Sequence, residues 1–232
     1  EKPQHSVTIS SPYWLGLYEV TVANYKACLD DGKCTAPKRS TNSFYNWGKS
    51  GREQHPVNGV TWAQASHYCK KWVKGALPTE AQWELAARGR CEENGGSSGC
   101  AAGMRVYPWG NRAPVCGKTA VYAFGGEDGC GVGTTWAVGT GSQLGRGPYG
   151  HYDLSGNVWE WLSDYRRCTF YGNTAAAQSN PRGDPLLPDC GVVRGGSSYN
   201  SALKTLRAGD RNHVRPSSAY GFVGFRCVRS SP

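Results

Sequence analysis

Residues Asp153 to Trp161, DLSGNVWEW, place two carboxylates, an amide, a glycine and two tryptophans within nine positions. Trp159 and Trp161 carry large apolar surfaces of the kind that fold inward. Asp153 and Glu160 lie among them, and acids are rarely buried without something that neutralises them. Two chemistries meet that need. A hard cation such as calcium takes carboxylate oxygens and turn carbonyls as ligands. Alternatively, Ser155-Gly156-Asn157 is an ordinary turn, and the acids cap helices or pair with arginine.

The second set of reactive residues is ten cysteines: Cys28, Cys34, Cys69, Cys91, Cys100, Cys116, Cys130, Cys168, Cys190 and Cys227. The even number, mostly in close pairs within Gly-rich stretches, predicts disulfides. Zinc would require C-x-x-C knuckles, and the chain has none. The expected loop staples are Cys28–Cys34, Cys91–Cys100, Cys116–Cys130 and Cys168–Cys190, with Cys69–Cys227 as the long-range bond. Such a chain is expected to fold in an oxidising compartment: the periplasm, the cell surface or the medium.

The elements that position these residues are short. With 32 glycines and 13 prolines in 232 residues, a loop-rich α+β chain is expected. Its composition has no abrupt shift, so residues 1–232 read as one domain. His5–Ile9, Trp14–Val20 and Tyr220–Arg229 read as strands, and Val192–Ser197 as a strand into a turn. Thr21 caps a helix over Val22–Leu29. Thr61 opens a second helix, in which Trp62, Ala65, Cys69, Trp72 and Val73 form an apolar stripe. Thr79 with Gln82 makes a capping box for a third, which Gly89 ends. Segments 90–144 and 165–189 read as loops, and Asp128 in the acidic loop 125–129 is a further oxygen ligand candidate.

The formal charge of +9, with pI near 9.1, permits attraction to any polyanion. The cations are scattered apart from Arg194–Arg229, without the basic and aromatic pattern of a nucleic-acid interface, so no nucleic-acid partner is expected. No apolar run is long enough to span a membrane. No signal peptide opens the chain, and Glu1 reads as the start of a processed or trimmed chain.

VNGVTWAQASHYCKKW, LPTEAQWELAARG, YPWGN, DLSGNVWEW, RGGSS and GFRCV occur in this order. Together they resemble the formylglycine-generating-enzyme, or sulfatase-modifying-factor, domain family, over about His5 to Arg229. The resemblance implies a loop-rich α+β variant of the C-type-lectin fold, and a core disulfide between Cys69 and Cys227. It implies a calcium site in which Asp153 and Glu160 supply carboxylates and Gly156 and Val158 supply carbonyls. A second site would use Asp128 and the Cys130 carbonyl, but its upstream side chain is lost near Ala120.

Active members of that family hold copper between two cysteines after the GGS turn and use oxygen to convert a substrate cysteine to formylglycine. Asn200 stands at the first of these places, and the second falls at Leu203–Thr205. No cysteine occurs between Gly191 and Arg226. Copper(I) wants soft thiolates, so no copper is expected. A three-histidine iron site known in another branch is not matched. His5, His55, His67, His151 and His213 are dispersed, although His151 lies beside Asp153.

These features point to a non-catalytic, calcium-stabilised extracellular binding or scaffold module. Its recognition surface would comprise Ser198, Tyr199, Asn200, Ser201, Asn212, His213, Arg215 and Tyr220, residue types suited to adaptable recognition. Its ligand would be a protein, peptide or glycan. The alternatives are an oxidoreductase with a site rebuilt from His213, Asp210, Tyr199 and Asn200, or a sensor domain or accessory subunit of a larger surface assembly.

Overall fold

The computed structural model describes residues 7–90, 105–165 and 190–231. Three helices start where hydroxyl caps stand. Thr21 accepts the Asn24 N–H and opens α1 (Val22–Asp30). Thr61 with Gln64, and Thr79 with Gln82, form capping boxes for α2 (Trp62–Lys71) and α3 (Glu80–Arg88). Gly89, at φ 74°, ends α3.

The strands make two antiparallel-rich sheets. β1 (Tyr13–Leu15) pairs with β6 (Val228–Ser230). The larger sheet has the order β4-β3-β2-β5, with β2 at Trp159–Tyr165, β3 at Gly191–Arg194, β4 at Arg211–Val214 and β5 at Val223–Gly224. β2 runs antiparallel to β3 and parallel to β5. β2 is absent from the sequence reading. Trp159, Glu160, Trp161 and Leu162 are all buried, so the strand has no polar face to produce an alternating pattern.

Two other expected strands change. Trp14–Val20 contracts to β1: the Gly16 N–H still bonds the Cys227 carbonyl in register, but the Val20 N–H bonds the Phe225 carbonyl, two residues out of it. Tyr220–Arg229 divides into β5 and β6, which belong to different sheets. Of His5–Ile9, the described residues 7–9 hold only an isolated bridge at Thr8.

The main core gathers Tyr25, Tyr68, Trp159, Trp161 and Phe225. Tyr25 stacks on Tyr68 at 5.2 Å, and Phe225 meets Tyr68 edge-on at 5.5 Å. A second cluster beneath α3 joins Trp83, Leu154, Leu162 and Val192.

Disulfides Cys28–Cys34, Cys69–Cys227 and Cys116–Cys130 form as expected. Cys91, Cys100 and Cys168 lie outside the described residues. Among the described residues Cys190 is a free, half-buried thiol; Cys168, its expected partner, lies outside them. The adjoining Gly191 pairs with Tyr165 at the end of the β2–β3 ladder. Among the described residues no helix is long and apolar enough to cross a membrane.

Candidate functional site

The central motif forms a buried turn leading into β2. Asp153 and Asn157 take φ of 56° and 60°, a left-handed geometry that Asp and Asn tolerate better than most residues. Between them Gly156 lies against Val121, whose carbonyl oxygen is only 2.3 Å from where a Cβ would stand. Any larger residue there would displace the turn.

Both acids of the motif have protein partners. Asp153 Oδ1 accepts from Ser142 Oγ and Oδ2 from the Gly139 N–H, each at 2.5 Å. Glu160 Oε2 accepts from Trp83 Nε1 at 2.9 Å and Arg226 Nε at 2.7 Å, and Oε1 accepts from Arg226 Nη2 at 2.7 Å. The remaining Arg226 donors reach the Gly16, Leu17 and Tyr152 carbonyls. Arg226 and Glu160 are completely buried. For Glu160, therefore, arginine pairing is realised.

A third acid joins them. Glu19 is 2 % exposed. Its Oε2 accepts from Asn157 Nδ2 at 2.9 Å, and Oε1 has no hydrogen-bond partner. Burial, then the Asp153 and Glu160 charges, hold the Glu19 carboxyl well above its ordinary range. Burial also raises Asp153, against its Ser142 and Gly139 hydrogen bonds. Three buried acids thus share one guanidinium. The sequence signal was available: Glu19 is the lone acid in the apolar run WLGLYEVTV.

An orphaned carboxylate oxygen and an excess of buried acid suit a hard cation. Asp153 and Glu19, with the Gly156 and Val158 carbonyls, are the donors that would hold it, while Glu160 is committed mainly to Arg226. As placed, no three His, Cys, Asp or Glu side chains among the described residues converge as a ligand set, so a cation would draw the acids together. Asp128 sits elsewhere, in a 3-10 turn over Asp128–Gly131. Burial and Glu127 raise its carboxyl. Ala120, near its lost upstream ligand, is fully buried, and its carbonyl accepts the Gly117 N–H.

At the positions matching the copper thiolates, Ser197 Oγ donates to Asn200 Oδ1 at 2.8 Å, and Thr205 Oγ1 donates to the Ala202 carbonyl. The Asn200 carbonyl is bonded by the Ala123 N–H. Next to this segment the rings of Tyr220, Phe222 and Tyr199 stack nearly parallel, with centroids 5.0 and 6.1 Å apart. Phe44 meets Tyr199 edge-on at 5.2 Å. Tyr199 and Tyr220 remain exposed.

Ser198 is buried, its Oγ without a hydrogen-bond partner. Tyr199, Asn200 and Tyr220 are brought to one surface, with Ser201 exposed beside them. Asn212 and His213 sit on β4, the edge opposite β5, about 14 Å away at ordinary strand spacing. Exposed Arg215 lies just past β4. Phe44 was missed because nothing in the sequence links it to Tyr199; Phe222 stands two positions from Tyr220 in an expected strand, and that spacing was the signal for it.

The described histidines are not a ligand set. His67 Nε2 contacts the Lys33 carbonyl at 2.9 Å. His55 Nδ1 lies 2.9 Å from Thr135 Oγ1 and 3.2 Å from Arg52 Nη1. Burial, then Arg52, push His55 down to about 4; burial, then Arg226, do the same to His151. Both are neutral at pH 7. As pH falls from 6.5 towards 4, the unfolded chain binds protons that these folded histidines refuse, so their contribution to stability declines. Glu19, with its raised pKa, acts in the opposite sense. The difference between wild type and His55→Gln in chemical denaturation isolates the histidine: it is constant above pH 6.5 and shifts in favour of the variant on acidification. A pH-independent difference counts against this assignment.

Comparisons with known proteins agree on one family. Residues 1–231 match the sulfatase-modifying factor enzyme 1-like domain. The chain is 34% identical over 197 residues to a formylglycine-generating enzyme of Streptomyces coelicolor, covering 78% of this chain and 55% of that protein. It is 35% identical over 247 residues to a protein named serine/threonine-protein kinase pkn1 from Chlamydia pneumoniae, covering 99% of this chain and 35% of that protein. The chain thus spans about a third to a half of these relatives. Among solved structures, PvdO from Pseudomonas aeruginosa superposes with a TM-score of 0.74 at 20% identity, covering 97% of this chain and 83% of that one. With its loop-rich α+β architecture of the C-type-lectin type, the chain belongs to the sulfatase-modifying factor enzyme 1-like domain family.

Proposed function

We propose that this domain is a non-catalytic binding or scaffold module of its family, stabilised by calcium and working in an oxidising, extracytoplasmic compartment. The observation that carries this reading is the Ser197–Asn200–Thr205 segment. Hydroxyl and amide groups bonded to one another and to the backbone stand where copper thiolates would be needed, and neutral oxygen and nitrogen are poor ligands for copper(I). The free Cys190 lies at the entry to β3, outside this segment.

In place of the chemistry, an exposed aromatic ladder lies beside the segment, which supplies Tyr199 to it. Tyr199 and Tyr220 combine large contact area with a hydroxyl at low entropic cost, which suits recognition of a protein, peptide or glycan. Calcium would offset the charge of Glu19 and Asp153 in a chain with many loops.

Incubation of the protein with copper(I), oxygen and a cysteine-containing peptide is expected to leave the cysteine unconverted by mass spectrometry; conversion to formylglycine would sink the proposal. On peptide and glycan arrays, Tyr199→Ser and Tyr220→Ser are expected to lower binding at least about tenfold with an unchanged unfolding midpoint. Calcium at about a hundred times its Kd should raise stability by about 2.7 kcal/mol. Glu19→Gln and Asp153→Asn should shrink that increment, and a calcium-independent unfolding curve removes calcium from the proposal.

A further inference from the structure

A cleft of about 350 Å³ opens beside β1, and Trp14, Leu17, Tyr18, Tyr68, Val73 and Arg229 are among the residues in its wall. Trp14 is 66 % exposed, Leu17 45 % and Tyr18 38 %. An indole left so far in water within a ladder is unusual, and exposed apolar groups gathered in one place mark an interaction surface. Trp14 and Arg229 are direct cross-strand partners.

The rim is cationic. Gly75 packs so tightly on β6 that a Cβ there would stand 2.9 Å from Arg229 Cγ. This brings Arg229 beside Lys74, which holds a φ of 60° just beyond α2. Lys70 and Lys71 occupy the last turn of that helix. On the other flank, Tyr18 stacks on Tyr152 at 4.9 Å, and the Arg146 guanidinium lies 4.4 Å from the Tyr152 ring centroid. Lys74, Arg146 and Arg229 are exposed and have no ion pair among the described residues. The acid in the cleft wall, Glu19, is buried and hydrogen-bonded to Asn157.

We infer that this face docks on an anionic lipid surface. Trp14, Leu17 and Tyr18 meet the boundary between headgroups and acyl chains, and Lys74, Arg146 and Arg229 meet the anionic headgroups. Indole and phenol rings settle at the headgroup level of bilayers. Unpaired lysines and arginines around them are drawn to anionic lipid. The net charge of +9 has the same sign. Contact is peripheral, since no described helix is long and apolar enough to cross a bilayer. The face shares no residue with the Tyr199 surface and does not depend on it.

Flotation of the purified protein with vesicles tests the inference, using phosphatidylcholine alone and phosphatidylcholine with roughly one-quarter phosphatidylglycerol. The expected result is binding to the anionic vesicles only, weakening as salt is raised. Each cation near such a surface contributes about fivefold, so the double variant Lys74→Glu, Arg229→Glu should bind at least about 25-fold more weakly. Trp14→Ser with Leu17→Ser should reduce binding at least about tenfold. All four side chains are solvent-facing, so unfolding midpoints should match wild type. Absence of flotation, equal binding to neutral vesicles, or binding that survives both variants overturns the proposal. Capture by poly-glutamate without vesicle binding also overturns it, in favour of an acidic protein partner.

Discussion

Arg226→Met lowers the stability of the domain by about 3–5 kcal/mol, the range for removing one member of a buried ion pair. Five hydrogen bonds from the guanidinium reach protein oxygens: two to Glu160 and one each to the Gly16, Leu17 and Tyr152 carbonyls. Without it, Glu160 keeps only the Trp83 indole while still facing Glu19 and Asp153. The Gly16 and Tyr152 carbonyls also lose a donor, whereas the Leu17 carbonyl keeps the Tyr152 N–H, and a buried unsatisfied polar group costs about 1–3 kcal/mol. Arg226→Lys should recover little, because an ammonium cannot span both Glu160 oxygens.

Adding Glu160→Met to Arg226→Met should recover part of the loss, since the stranded charge leaves with its partner. Urea denaturation of both single variants and the double measures this. Additive losses would mean that the pair is not coupled as the geometry requires. Calcium supplies a further comparison: a cation bound among Glu19 and Asp153 should soften the Arg226→Met loss.

The helices were legible because their ends are local. Thr21, Thr61 and Thr79 make capping contacts with residues three positions on, and a short window of sequence holds the whole signal. β2 was not legible, since burial on both faces removes the period of two. The two readings of Glu160 could not be separated from the motif, because its guanidinium partner comes from residue 226. Glu19 escaped for the same reason: its importance lies in the acids that the fold brings near it. The cysteine count and spacing led to three disulfides that the described residues form, while Cys190 is free among them, since parity does not require every thiol to be bonded. Tyr199 and Tyr220 were legible as recognition residues by type. The ladder that orients them needs Phe222, two positions from Tyr220, and Phe44, which only the tertiary structure brings to Tyr199.

Replacing Cys69 and Cys227 together with alanine costs about 5 kcal/mol, the loss expected from opening a closed loop of 158 residues. The same entropic relation gives about 3 kcal/mol for Cys116–Cys130, with a separation of 14, and about 2 kcal/mol for Cys28–Cys34, with a separation of 6. Denaturant unfolding of the three double-alanine variants should follow that order. A Cys69–Cys227 variant no less stable than the Cys28–Cys34 variant would show that the unfolded chain does not gain the freedom assumed. Burial adds to the long-range case: Cys69 and Cys227 lie in the main core, where alanine leaves a void. The bond joins α2 to the residue following Arg226, so it holds that guanidinium against Glu160 from the adjacent backbone position. Loss of the disulfide and Arg226→Met should therefore be non-additive. Once the backbone at 227 is released, the ion pair is already weakened, and removing Arg226 costs less than it does in the intact domain.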